Sequence, residues 1–139
     1  MIKIPRMTDR YRLKVDGVTF TVAPLSKDQK LEISQCGKID GGEFIQNIFD
    51  MQCLYLKYGL KDIGGIKGYD KKDYTLAFEN GFLSDDCISE LLNLPMHSKL
   101  MDAAWQLLNG VPDMITNPTT GEALEGVKLD ILPQEEASP

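Results

Sequence analysis

Glu43-Phe-Ile-Gln-Asn-Ile-Phe-Asp-Met-Gln-Cys-Leu-Tyr-Leu-Lys-Tyr-Gly-Leu60 places Phe44, Ile45, Ile48, Phe49, Tyr55 and Leu56 at spacings of three and four. Apolar residues recurring every 3.6 positions line one side of an α-helix. The stretch therefore predicts an amphipathic helix near 43–60 at the centre of the core. The flexible Asp40-Gly41-Gly42 precedes it, and Asp62-Ile63-Gly64-Gly65-Ile66-Lys67-Gly68 follows. Each glycine in a helix interior costs about 1 kcal/mol relative to alanine, so the chain turns at this link.

Beyond the link, Tyr69 to Phe78 alternates polar and apolar side chains at Tyr74, Leu76 and Phe78, the pattern of a short strand or extended arm. Ser84-Asp85-Asp86 then opens a helix near 84–93. The hydroxyl caps orphan amides and the carboxylates sit at the positive end of the helix dipole. Ile88, Leu91 and Leu92 supply its apolar side. Pro95 ends this helix and starts another near 95–109, whose face of Leu100, Met101, Ala104, Leu107 and Leu108 stops at Gly110. The two make a helical hairpin.

Toward the amino terminus, Tyr-Arg-Leu-Lys-Val15 and Val18-Thr-Phe-Thr-Val22 flank Asp16-Gly17. Asp-Gly accepts the positive φ of a tight primed turn and β-branched flanks suit a pleated surface, so a β-hairpin is predicted over 11–25. A lone ribbon is marginal and must pack on helices or a neighbouring subunit. Ser26 caps a short helix near 26–36 carrying Leu31 and Ile33, which Gly37 ends.

From Val111 onward, Pro112, Pro118, Pro133 and Pro139 mix with Asn, Thr, Gly and Glu, which reads as an extended, flexible acidic tail over 111–139. Within it Val127, Leu129 and Ile131 alternate with Lys128 and Asp130, forming a strand that adds either to another chain or back to the amino-terminal hairpin. The expected architecture is thus α+β, mainly helical: one globular domain over 1–110 with an amino-terminal hairpin and about four helices, then the tail.

A chain of 139 residues suits one domain. Hydrophobic and charged contents of 42% and 26% are those of a globular protein. The net charge of −6 repels nucleic acid and anionic lipid. Before Leu31, Lys3, Arg6, Arg10, Arg12, Lys14, Lys27 and Lys30 outnumber Asp9, Asp16 and Asp28, whereas after Gly110 Lys128 alone opposes six acids. Those ends attract each other or different partners, or are simply solvated. No apolar run approaches the roughly 20 residues that span a bilayer, and Met1-Ile2-Lys3-Ile4-Pro5-Arg6 lacks a signal-peptide core. Cys36, Cys53 and Cys87 fit neither a disulfide framework nor a CxxC pair, and reduced thiols in a cytosol are expected.

The inventory points away from catalysis. The single histidine, His97, sits in the first turn of its helix, where the dipole disfavours protonation. Asp85-Asp86 is explained by capping, and the Gly64–Gly68 link lacks the spacing and ending of a P-loop. Tyr11 between Arg10 and Arg12 suits cross-strand packing better than base stacking. Catalytic, cofactor-binding and metal sites are therefore expected to be absent, and protein association is what remains. Met1, Met7, Met51, Met96, Met101 and Met114 provide adaptable apolar side chains, with core filling the plainer role for Met51 and Met101. Trp105 lies off the best apolar stripe of its helix and serves either the core or a contact.

Val18-Thr-Phe-Thr-Val-Ala-Pro-Leu25, Leu54-Tyr-Leu-Lys-Tyr-Gly-Leu60, Lys61-Asp-Ile-Gly-Gly-Ile66, Tyr74-Thr-Leu-Ala-Phe78 and Leu83-Ser-Asp-Asp-Cys-Ile-Ser-Glu-Leu-Leu92 together resemble a tail assembly chaperone of long-tailed bacteriophages or prophages. The likeness spans roughly Val18 to Gly110 and contains no invariant motif. It implies a small, non-enzymatic protein of the host cytoplasm that coats the apolar tape measure protein until tail tube subunits replace it. Homo-oligomerisation is compatible with that role. Leu56, Leu92, Met101, Trp105 and Leu108, with Val127, Leu129 and Ile131 of the tail strand, are the candidate protein contacts, and each is equally able to serve the core. The alternative is a structural virion component, a small neck, tail or baseplate subunit knit to its neighbours by the hairpin and the Val127–Ile131 strand.

Overall fold

The computed structural model describes residues 3–108 and 110–132. The Asp16-Gly17 signal forms its turn: both residues have positive φ, at 49° and 88°, joining β1 (Arg10–Val15) to β2 (Val18–Val22). Tyr11↔Val22, Leu13↔Phe20 and Val15↔Val18 pair across the ribbon and put all six side chains on one buried face. Successive strand residues point to opposite sides, so this register assigns Arg12, Lys14, Thr19 and Thr21 to the outer face.

Helix α1 (Lys27–Ser34) begins with a complete capping box. The Gln29 amide donates to Ser26 Oγ at 3.2 Å, and the Ser26 amide donates to Gln29 Oε1 at 2.9 Å. β3 (Gly37–Asp40) and β4 (Glu43–Gln46) form a second hairpin, followed by α2 (Ile48–Gly59) and β5 (Leu60–Gly64). β6 (Phe78–Glu79) and β7 (Phe82–Leu83) make a minimal hairpin around Asn80-Gly81, both at positive φ. α3 (Asp85–Leu91) carries the expected Ser84 cap, whose Oγ accepts the Cys87 amide at 3.3 Å. α4 (His97–Leu107) and β8 (Val127–Leu132) complete the order.

The main sheet is antiparallel with order β5-β2-β1-β8. One hydrophobic cluster joins its inner face to α2, α3 and α4, through Tyr55 and Leu56, Cys87, Ile88 and Leu91, and Leu100, Met101, Ala103, Ala104 and Leu107. Between β2 and β5 the register steps from Thr21↔Asp62 to Val22↔Leu60, which leaves Lys61 bulged.

The expectation of a mainly helical protein is overturned: four helices hold 29% of the described residues and strands 31%. Three segments account for the difference. Residues 43–46 are strand β4, and the central helix begins at Ile48 after the Asn47 cap, whose side chain accepts the Asp50 amide at 3.1 Å. Gly41 and Gly42, at φ 60° and 85°, close a primed turn that pairs this segment with 37–40. Second, 60–64 is not merely a turning link, because Leu60 and Ile63 are buried as the edge strand beside β2.

Third, residues 111–132 are not a flexible tail. Val111, Ile115 and Leu124 join the core, and β8 pairs with β1 along Arg10↔Leu132 to Val15↔Val127. The Gln106 side chain holds the returning chain, donating to the Thr116 carbonyl at 2.6 Å and accepting its amide at 2.9 Å. Lys99 Nζ meets Asp16 Oδ1 at 3.0 Å where α4 passes the first turn, and a side chain at Gly126 would overlap that carboxylate. The remainder of the expected tail, 133–139 with Pro133 and Pro139, lies outside the described residues, as do Met1, Ile2 and Asn109.

Candidate functional site

The second hairpin is built from Gly37-Lys-Ile-Asp-Gly-Gly-Glu-Phe-Ile-Gln46. Ile39↔Phe44 and Asp40↔Glu43 are directly opposite pairs, as are Lys38↔Ile45 and Gly37↔Gln46. Alternation puts Ile39 and Phe44 on one face and Lys38, Asp40, Glu43 and Ile45 on the other. Unlike the first hairpin it joins no other strand among the described residues, and all eight of its strand residues are exposed. Its base is tied by the Asn47 amide donating to the Cys36 carbonyl at 3.0 Å. Gly37 is obligatory: its φ is 150°, and an added Cβ would overlap the Ile45 carbonyl oxygen and the Phe44 ring.

Ile39 is 77% exposed, Phe49 60%, Ile48 53%, Phe44 49% and Ile45 47%. These five belong to the ribbon and the first turn of α2, a concentration of apolar surface that water penalises and that marks interaction sites. Between ribbon and helix lies an open hollow of about 440 Å³ lined by Gly37, Lys38, Ile45, Asn47, Ile48 and Asp50. Burial first, then the Asp50 and Glu32 carboxylates, raise the pKa of the Cys36 thiol at its base.

The contact candidates from sequence fall elsewhere. Leu56 and Met101 are each 2% exposed and form core, so they present no surface as placed. Leu92, Trp105 and Leu108 are half-buried against that core. Trp105 stacks edge to face on Tyr55, with centroids 5.5 Å apart. Val127 and Leu129 are also half-buried, while Ile131, at 49%, is the exposed one of the eight. Phe44 and Ile45, expected in the central helix, lie in β4, and Ile48 and Phe49, which α2 does contain, are exposed beside them rather than buried in the core. The signal that separates the readings is Gly41-Gly42, a turn pair set between the equal segments Gly37–Asp40 and Glu43–Gln46.

The titratable side chains elsewhere act as fasteners. The Tyr58 hydroxyl donates to Glu32 Oε2, bridging α2 to α1 and raising the tyrosine pKa through that bond. Tyr74 donates to Glu90 Oε1 at 2.8 Å and pins the 67–77 segment to α3. Its pKa rises through burial first, then its bonds to Cys87 and Glu90. Cys87 is buried and accepts the Ala77 amide at 3.2 Å. His97 is half-buried at the start of α4. Among the described residues no group of three or more His, Cys, Asp or Glu is placed to hold a metal ion, and no helix is long and apolar enough to cross a membrane. No protein-family model, curated protein or solved structure matches this chain.

Proposed function

We propose that this protein is a non-enzymatic tail assembly chaperone of a long-tailed phage or prophage, which binds the tape measure protein in the host cytoplasm and keeps it dispersed until the tail tube polymerises. The observation that carries the reading is the uncovered apolar ribbon: Ile39, Phe44 and Ile45, continued by Ile48 and Phe49. An isolated two-stranded ribbon is marginal in water, and one with apolar side chains on both faces gains from a partner that covers them. A client with long apolar helical faces is such a partner, and a coat of acidic binders keeps coated clients apart. The phrases that resemble the chaperone family add the choice of client.

Co-expression with the tape measure protein of the same phage tests this. The client should be soluble with the wild-type chain and insoluble with the Phe44→Asp, Ile48→Asp double variant, provided that variant folds with an unchanged circular dichroism spectrum. A client equally soluble with both chains would remove the surface from the function. Mass spectrometry of purified virions separates the chaperone, which should be missing, from the neck, tail or baseplate subunit, which would be stoichiometric. The Val127–Ile131 strand invoked for that alternative is paired within the chain to β1, which leaves its outer edge alone for a neighbour.

A further inference from the structure

Asp40 and Glu43 face each other directly on the same side of the exposed ribbon, flanking its Gly41-Gly42 turn. Like charges opposite each other destabilise a strand pair. Neither carboxylate is in an ion pair with a described residue; the described ion pairs are Lys67 with Asp73 and Lys99 with Asp16. Asp50 in the first turn of α2 and Glu32 of α1 add negative charge around Cys36 at the ribbon's base, against Lys38 alone on the ribbon itself. Ile45 thus shares its face with a like-charge pair at the ribbon's tip, and Lys38 is the ribbon's one cation.

From this we infer that the β3–β4 ribbon and the first turn of α2 select an apolar segment flanked by lysine or arginine, whose cation settles between Asp40 and Glu43 while its apolar side chains cover Ile45 on the same face and Ile48 across the hollow. The inference rests on the client-binding reading and adds the chemistry of the client. Each strand of the ribbon is four residues, about 13 Å of extended chain, which two to three turns of helix match in length. A second copy fits less well. Meeting itself, the surface would set Asp40 and Glu43 against their own counterparts. The chain's cationic arm carries Ile4 and Met7 beside Lys3, Arg6 and Arg10, but the Lys3 backbone is paired with Val111, which ties the arm to its own chain.

Fluorescence anisotropy with two synthetic peptides of about 14 residues, roughly four helical turns, tests the inference. Both share one leucine stripe, and their remaining positions are lysine in one and glutamate in the other. The lysine peptide should bind about tenfold more tightly, the preference that two exposed charge pairs supply. Asp40→Asn with Glu43→Gln should remove that preference, whereas Glu79→Gln with Glu125→Gln, equally exposed acids elsewhere, should keep it. Ile45→Asp should abolish binding of both peptides. Equal binding of the two peptides, with Ile45→Asp still abolishing both, overturns the charge selection and leaves the client-binding surface standing. Binding of neither peptide overturns both readings. Concentration-dependent self-association that Arg6→Glu removes would seat a second copy's arm on the ribbon and overturn the inference.

Discussion

The two large hairpins are written in similar local code and meet opposite fates. Both turn through two residues at positive φ, Asp16-Gly17 in one and Gly41-Gly42 in the other, but the first alternates apolar and polar side chains whereas the second sets Phe44 and Ile45 next to each other, one on each face. In the first, β5 and β8 pair on either side and the helices cover one face. In the second, no further strand among the described residues pairs and both faces are exposed. Local sequence therefore sets the ribbon, but what covers it sets its role. A covered ribbon is scaffold, and an uncovered apolar one is a surface awaiting a partner.

The comparison breaks most sharply in the covered hairpin. Phe20 is fully buried opposite Leu13 and beside Ile63, so Phe20→Ala should lower unfolding free energy by about 3–5 kcal/mol in urea titration. A loss under about 1 kcal/mol would mean the sheet face is not the core. Next comes the cover supplied by the returning chain. Gln106→Ala removes the side chain that donates to the Thr116 carbonyl and accepts its amide, and should cost about 2 kcal/mol. Amide exchange of β8 should accelerate more than that of β2, since the clamp restrains the chain leading into β8.

A smaller effect of opposite sign sits at the other end of β1. Tyr11 is 2% exposed and its hydroxyl finds no hydrogen-bond partner among the described residues. Tyr11→Phe should therefore stabilise by about 1 kcal/mol at neutral pH, because the ring stays packed and an unsatisfied polar atom goes. Burial, then the Asp9 charge, push its pKa up from 10.0 to about 12. A folded pKa above the unfolded one means the protonated form favours folding. That contribution is complete below pH 10 and fades as pH rises through about 12. Alkaline unfolding should thus shift to higher pH in the phenylalanine variant, and an unchanged midpoint would show that Tyr11 is not the group being titrated.

What the sequence disclosed follows the same division. Asp16-Gly17, the Ser26 cap and the Ser84 cap each rest on a local requirement, a positive φ or an orphan amide, and each is met in place. The segment 43–49 fits two readings, because Phe44, Ile45, Ile48 and Phe49 satisfy helical spacing while the adjacent Phe44-Ile45 pair, without alternation, suits a short strand exposed on both faces. The glycine turn decides between them by giving 43–46 a partner strand. The Val127–Ile131 strand was legible, but its alternation could not choose between β1 of the same chain and an edge elsewhere, since that choice depends on residues more than a hundred positions away. The exposed surface was hardest to read, because apolar side chains are expected inside and nothing local says that a ribbon lacks cover.

The smallest predicted effect on stability therefore carries the most functional weight. Phe44 is half-exposed on an isolated ribbon, its ring close to Gly37, so Phe44→Ser forfeits little packing and should move the urea midpoint by less than about 0.5 kcal/mol. Phe20→Ala and Phe44→Ser remove the same ring from two hairpins with similar turns. If the first unfolds the protein without touching a contact, and the second leaves it folded while client binding falls, stability and binding reside in different ribbons. A large stability loss at Phe44 would instead assign the second hairpin to the scaffold, and its apolar residues would no longer need a partner to explain them.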